Sequence, residues 1–359
     1  METVYQNFYE VTEFEIKQFT FTGLYPLLCS MFVTLANTDD LSKVIDILYY
    51  LLTHSTYLCK LYNFIKNRRK LLDIEDVLQE KILYKYFDRY GKIYWHEVIR
   101  NCKILSYTFR LSVFLVVLFY ALFPKFDKDP DRTLPLAGWF PLNMDTFHTA
   151  IYAFQIFCMA VSAGTNTSTD IYCTKLLSLA IIEIKMLKNC LRNVDYSNGN
   201  NGGIKPEELG YIVALHKHLL HYITVLEGMF TYGIFLQFLA SIGVICLTGV
   251  QMLVTDPRSV QFILLIVYLI CMLCQCGLYC WYGNEILTES NGIAEACYMS
   301  NWYEGTTEQK KVLFLIMERS KRQIEMTAGK FFTLNLGTYM MILKSSYSYF
   351  AVLQRVYKD

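Results

Sequence analysis

Proline is scarce where it would bend a helix. The seven prolines, Pro26, Pro124, Pro130, Pro135, Pro141, Pro206 and Pro257, fall at the ends of apolar runs or between them. Proline inside a helix removes a hydrogen bond and kinks the chain, so long unbroken helices are expected. Midspan breaks and internal repeats of the kind that build transporter sites are missing. There is no basic tail, and a net charge of +1 offers no footprint for nucleic acid. No secretory signal opens the chain, because residues 1–15 are polar and acidic; a later span must direct insertion. No Ser/His/Asp or Cys/His arrangement has support beyond residue counts, so an enzyme is not expected, and no cofactor is implied.

A disulfide framework is not expected although cysteine is plentiful. None of the cysteines lies in the segments assigned to the outside, 124–145 and 255–259. Cys271, Cys274, Cys276 and Cys280 have a metal-like spacing, but they sit inside an apolar run, where thiols pack as small hydrophobes. His216, His218 and His221 read H-x-H-x-x-H with no carboxylate or cysteine to complete a metal set, and they are taken as ordinary helix residues. Asn166-Thr167-Ser168 has the form of a glycosylation acceptor, but it falls at the inner end of a span. The Asn198 to Gly203 stretch lacks the lysine and flanking strand of a phosphate loop and is a flexible break.

What is present is apolar and aromatic. Hydrophobic residues make up 54% of the chain and mean hydropathy is +0.27, high for a soluble domain of this size. The weak alternation of a membrane β-barrel is absent. The predicted fold is all-α and polytopic, with seven transmembrane helices at 21–36, 41–65, 102–123, 146–164, 229–254, 260–282 and 331–356. The first is short. The second carries Lys43, Asp46 and Lys60 near its ends. Basic residues concentrate in 66–100, 175–217 and 310–330. The positive-inside rule then puts the N-terminus in the cytoplasm and the C-terminus outside. Leu209, Ile212, Val213, His216, Leu219, Leu220 and Ile223 recur at helical spacing, as do Leu313, Ile316, Met317, Ser320 and Ile324. These predict amphipathic cytoplasmic extensions that pack together.

The last run carries Lys344 near its middle and Ser345-Ser346-Tyr347-Ser348-Tyr349-Phe350 beyond it. At about 1.5 Å per residue Lys344 lies roughly 16 Å below Arg355, near the bilayer midplane. A charge there is costly in lipid, so this helix faces protein or water. The seven-span count suggests G-protein-coupled receptors. Those usually bend several helices with internal proline and place the N-terminus outside. They also carry an acidic-Arg-aromatic triplet after the third span and an Asn-Pro pair in the seventh. The proline pattern, the orientation and both motifs fail here.

An ordered set of short motifs then resembles the insect odorant receptor family. It begins with Leu134-Pro135-Leu136-Ala137-Gly138-Trp139-Phe140-Pro141, followed by His216, Leu226-Glu227, Phe230 and Gln237-Phe238. Tyr282-Gly283-Asn284-Glu285-Ile286, Glu289-Ser290, Ala296, Tyr298, Ser300 and Trp302-Tyr303 come next. Arg322-Gln323, Ala328-Gly329 and Leu343-Lys344-Ser345-Ser346-Tyr347-Ser348-Tyr349-Phe350 complete it, over residues 134–356. The first hundred residues contribute little beyond hydropathy.

The resemblance implies an odorant-gated, non-selective cation channel in the plasma membrane of olfactory sensory neurons. It implies a ligand-tuned subunit that joins the odorant receptor co-receptor in a heterotetramer, because the long insertion of the co-receptor between the fourth and fifth spans is missing. Its partners would be that co-receptor, a volatile small molecule and membrane lipids. The implied organisation is a cytoplasmic segment at 1–20, helices one to six with an outer-half ligand pocket at 21–285, anchor and assembly helices at 286–330, and a pore-lining helix with a short extracellular tail at 331–359. Val352 matches the family's apolar gate position, with Tyr349, Arg355 and Lys344 as further pore residues. The implied pocket residues are Tyr49, Tyr50, Thr53, Phe114, Val117, Tyr120, Tyr152, Gln155, Met159, Tyr268 and Met272. A gustatory-type channel of the same superfamily is the alternative, although the Ser-Tyr-Ser-Tyr-Phe run argues against it.

Overall fold

Freedom from interior proline is realised as helices of unusual length. The computed structural model describes residues 24–38, 41–67, 92–126, 134–136, 138–141, 144–196 and 203–358. The expected segment 1–20, the start of the first span at 21–23, most of the basic stretch 66–100 and most of the 198–203 break lie outside the described residues. The described helices are α1 (Tyr25–Ala36), α2 (Leu41–Lys66), α3 (Lys92–Phe126), α4 (Met144–Arg192), α5 (Pro206–Val254), α6 (Val260–Tyr298), α7 (Thr307–Ser320) and α8 (Leu336–Lys358). A 3₁₀ turn at Trp302–Glu304 precedes α7, and two short strands, β1 (Thr327–Ala328) and β2 (Phe332–Thr333), precede α8. The strands pair antiparallel, with Thr327 opposite Thr333 and Ala328 opposite Phe332.

Helices α4 and α5 each hold 49 residues. Each therefore runs roughly 70 Å, more than twice a bilayer's ~30 Å hydrocarbon core. Four described helices, α3 to α6, are long and apolar enough to cross a membrane. Each continues past its predicted span. Residues from Lys92 to Asn101, expected in a connection, are the first turns of α3. Helix α6 runs unbroken to Tyr298, so the expected boundary at 285/286 falls inside one helix. Helix α1 has only 12 residues.

Local chemistry explains the helix starts. Pro206 opens α5, where its missing N–H costs nothing, and Glu207 and Glu208 complement the helix dipole in the first turn. Ser259 caps α6 by accepting from Phe262 N at 3.1 Å. Thr306 and Gln309 form a capping box on α7. The Gln309 amide also brackets Ile204, accepting from its N–H and donating to its carbonyl. Nearby, the buried hydroxyls of Tyr196 and Ser300 bond at 2.9 Å. Burial holds the Tyr196 phenol above its usual pKa, so it stays a neutral hydrogen-bonding group.

The last helix corrects the sequence reading. It was expected from 331 and begins at Leu336. Gly329 and Lys330 both take left-handed φ values, 62° and 63°, and turn the chain into the β1–β2 hairpin. Leu334 N–H extends the hairpin to Met326 O at 2.8 Å. Asn335 then caps the new helix, its Oδ1 accepting from Thr338 N at 2.8 Å. The hairpin is fastened to α5: Gly329 N–H donates to Thr231 O at 2.9 Å and the Thr327 hydroxyl donates to the Glu227 carboxylate. Leu334 crosses so close to Gly283 of α6 that a Cβ there would stand 2.5 Å from the Leu334 carbonyl oxygen.

Two hydrophobic clusters fill the bundle. The larger joins α3 to α7, the hairpin and Ile342 of α8. It takes in Ile212, Leu219 and Ile223 from the first predicted stripe and Leu313, Ile316 and Ile324 from the second; His216 is also buried, and Val213, assigned to the first, is exposed. The smaller cluster joins α1 and α2 to Cys158, Val244, Leu264 and their neighbours at the opposite end of α4, α5 and α6. The 134–141 loop closes over it, with buried Leu136 beside it and Trp139 N–H donating to Ser30 O of α1.

Candidate functional site

Three helices turn matching stripes toward one another where the smaller cluster meets the larger. Helix α2 presents Tyr50, Thr53, His54 and Tyr57. Helix α4 presents Met159, Ser162, Ala163 and Asn166. Helix α6 presents Tyr268, Cys271, Met272 and Gln275. Each set has the spacing i, i+3, i+4, i+7 of a single helix face. With Val113, Val116, Val117 and Tyr120 of α3 they line a cavity of about 90 Å³, several times the roughly 10–15 Å³ that one water needs.

Most polar groups in the wall are already paired. The Thr53 and Tyr268 hydroxyls bond at 2.6 Å, joining α2 to α6. Those of Tyr49 and Tyr120 bond at 2.8 Å, joining α2 to α3. His54 contacts Ser162 Oγ through Nε2 at 3.0 Å and the Tyr50 carbonyl through Nδ1 at 3.1 Å. Its ring stacks on Tyr50 with centroids 3.9 Å apart. The Tyr50 hydroxyl is buried and has no hydrogen-bond partner among the described residues.

Beneath the wall lies an ionic floor. Lys60 and Asp170, 6% and 1% exposed, pair at 2.7 Å. Lys60 Nζ also donates to Asn166 Oδ1 at 3.2 Å. Asp170 accepts from Gln275 Nε2 and from the Tyr279 hydroxyl, both at 2.5 Å. Gln237 of α5 donates to Gln275 Oε1 at 3.1 Å. One network thus ties α2, α4, α5 and α6. Asn166 and Gln275 belong to it and also line the cavity.

Helix α8 divides sharply by face. Ile342 and Ser346 are buried, and Phe350 packs against the smaller cluster. Lys344, Ser348, Val352 and Arg355 follow one another at helical spacing on one exposed stripe, with Tyr349 exposed beside it.

A family model described as 7tm Odorant receptor matches residues 40–347. The chain belongs to the odorant receptor family. It is 25% identical to odorant receptor Or1 of Anopheles gambiae over 368 residues, covering 93% of this chain and 86% of that one. It is 30% identical to the odorant receptor coreceptor of Aedes aegypti over 163 residues, 44% of this chain and 34% of the relative. Among solved structures it is similar to the insect olfactory receptor OR5 from Machilis hrabei, with a TM-score of 0.81 at 16% identity, covering 92% of this chain and 86% of that one. The same receptor solved in complex with eugenol gives 0.79. Family and helices together make this receptor a multi-pass membrane protein.

Of the pocket residues expected in this receptor, seven line the cavity: Tyr50, Thr53, Val117, Tyr120, Met159, Tyr268 and Met272. The other four are placed elsewhere. Tyr49 stands behind the wall, bonded to Tyr120 and tilted against the Tyr268 ring at 5.4 Å. Phe114 is 61% exposed, because the lining face of α3 runs through Val113, Val116, Val117 and Tyr120. The Tyr152 hydroxyl donates to the Ala121 carbonyl. Gln155 brackets Leu136, accepting from its N–H at 3.1 Å and donating to its carbonyl at 3.0 Å, so it holds the 134–141 loop.

Sequence reasoning missed His54, Tyr57, Phe109, Ser162, Asn166 and Gln275, which also line the cavity. The i+4 and i+7 neighbours of Tyr50, Met159 and Tyr268 would have pointed to most of them. Lys60, placed near the end of the second span, is buried there by its pairing with Asp170. The histidine triplet comes apart: buried His218 pairs with Glu183 at 3.2 Å, His216 is buried apart from that pair, and His221 is exposed.

Proposed function

We propose that this receptor is a ligand-tuned subunit of an odorant-gated, non-selective cation channel that works with the odorant receptor co-receptor as a heterotetramer in the plasma membrane of olfactory sensory neurons. The observation that carries the proposal is the shared cluster. Tyr50, Tyr120, Met159, Tyr268 and Met272 line the cavity, and Phe350 of α8 packs against that same cluster. A molecule in the cavity therefore pushes on the cluster that the last helix rests against. In this reading α1 to α6 and α8 are seven spans, the N-terminus is cytoplasmic and the C-terminus extracellular. The chain from the end of α6 to the hairpin forms the cytoplasmic assembly layer.

Apolar and aromatic walls suit a small volatile held by shape and dispersion. The solved complex of OR5 with eugenol supports a small-molecule ligand in this fold. The exposed stripe of α8 is the pore face: Val352 is the gate, closing by dewetting and opening by dilation, with Lys344 below it, Tyr349 beside it and Arg355 at the mouth. Ligand work on that gate is limited to the difference in affinity between closed and open states. Four arginines at the mouth would oppose cation flow, whereas one among neutral partners is tolerated, so this chain makes no efficient cation pore alone. The test is odorant-evoked current in cells expressing this receptor with and without the co-receptor. Cation current is expected only with both chains; a large cation current from this receptor alone sinks the proposal.

A further inference from the structure

Among the described residues, one side chain lining the cavity has a buried hydroxyl with no hydrogen-bond partner. Seven hydroxyl-bearing side chains line it, and the hydroxyls of six are engaged: Thr53 with Tyr268, Tyr120 with Tyr49, Tyr57 with Thr165, Ser162 with His54, and Thr167 with the Ala163 carbonyl. The seventh, on Tyr50, is buried and unpartnered among the described residues. A buried hydroxyl without a partner carries its full desolvation penalty, and a ligand that bonds it recovers that loss. The group is also fixed in place. The Tyr50 side chain is 5% exposed, stacks on His54 and sits on the turn whose carbonyl that same histidine contacts. Little ordering is left to oppose a bond.

The ion pair beneath the cavity is spoken for. Asp170 is held by Lys60, Gln275 and Tyr279, so it offers an ammonium group no free anion. Lys60 is held by Asp170 and Asn166, so it offers a carboxylate no free cation.

We infer that Tyr50 recognises a neutral oxygen function, so that this receptor selects alcohols, phenols and carbonyl compounds over hydrocarbons of the same shape and over charged amines and acids. A phenolic hydroxyl both donates and accepts, so it serves a carbonyl oxygen and an alcohol alike. This rests on the cavity being the odorant site proposed above.

Shape-matched compounds test it. Benzyl alcohol is paired with ethylbenzene, and acetophenone with α-methylstyrene; benzylamine supplies the charged case. The full-length receptor is co-expressed with the co-receptor. Half-maximal concentrations for current are measured, together with thermal stabilisation of the purified complex for compounds that bind without opening it. In the wild type the oxygenated member of each pair acts at about three- to tenfold lower concentration, the yield of one net hydrogen bond, and benzylamine is weaker than benzyl alcohol. Tyr50→Phe brings the two members of each pair together while the hydrocarbon value holds. Equal potency within the wild-type pairs overturns the inference, which is also the result expected if a permanent water satisfies Tyr50. A preference that survives Tyr50→Phe overturns it too, as does failure of all five compounds in both measurements. If other volatiles still evoke current in those cases, the odorant-gated reading stands and only the Tyr50 inference falls; if none does, both fall.

Discussion

The wall of the cavity and the floor beneath it treat polar atoms in opposite ways. In the wall, neutral hydroxyls bond across helices in twos, Thr53 with Tyr268 and Tyr49 with Tyr120. In the floor, an ion pair is surrounded by amide and phenol groups until every contact is charge-assisted or shared. A hydroxyl pair contributes about 0.5–1.5 kcal/mol net, so it can trade partners with a ligand. A buried ion cannot trade, because removing its partner strands a charge in an apolar interior. The difference separates a surface that can be retuned by substitution from a joint that must stay whole.

Substitutions in the two layers test that contrast. The largest effect is expected from Asp170→Ala, which strands Lys60 and costs about 3–5 kcal/mol. Thermal unfolding of the purified receptor and surface expression report it. The double change Lys60→Met with Asp170→Leu removes both charges and should cost clearly less than Asp170→Ala alone; an equal loss would mean that the floor is not an ionic joint. Tyr49→Phe is expected to cost only about 1 kcal/mol, because it removes one neutral hydroxyl bond. It should leave expression intact while shifting the potency order of odorants through Tyr120, and an unchanged order would break the idea of a retunable wall. Phe114→Ala should stay within about 0.5 kcal/mol of wild type, as exposed positions do. Its odorant order should also be unchanged, and a changed order would return Phe114 to the ligand site.

The two layers also differ in how far they could be read from the sequence. Part of the wall was legible: the resemblance pointed to Tyr50, Thr53, Tyr120, Met159, Tyr268 and Met272, and helical spacing, which is local, extends those stripes to their neighbours. Phe114 and Tyr152, chosen by depth in the membrane rather than by face, do not line the cavity. The floor was not legible. Lys60 and Asp170 are 110 residues apart, and no local pattern announces a pairing that only helix packing creates. The start of α8 was misjudged for a related reason. Phe331 and Phe332 read as apolar span, but Gly329 and Lys330 turn the chain and the hairpin binds α5 across a long sequence separation.

That hairpin makes α8 a lever. Its near end is clamped, since β1 is fastened to α5 and Leu334 is wedged over Gly283 of α6. Its far end, from Tyr347 onward, is bare on one side. Val352 stands about 24 Å along the axis from Leu336, so a tilt of about 5° at the clamp carries it about 2 Å sideways. Phe350 lies near that same far end, where a small push has the longest arm. In the proposed gating, mechanical advantage rather than a large rearrangement of the bundle sets how little movement the cavity must supply.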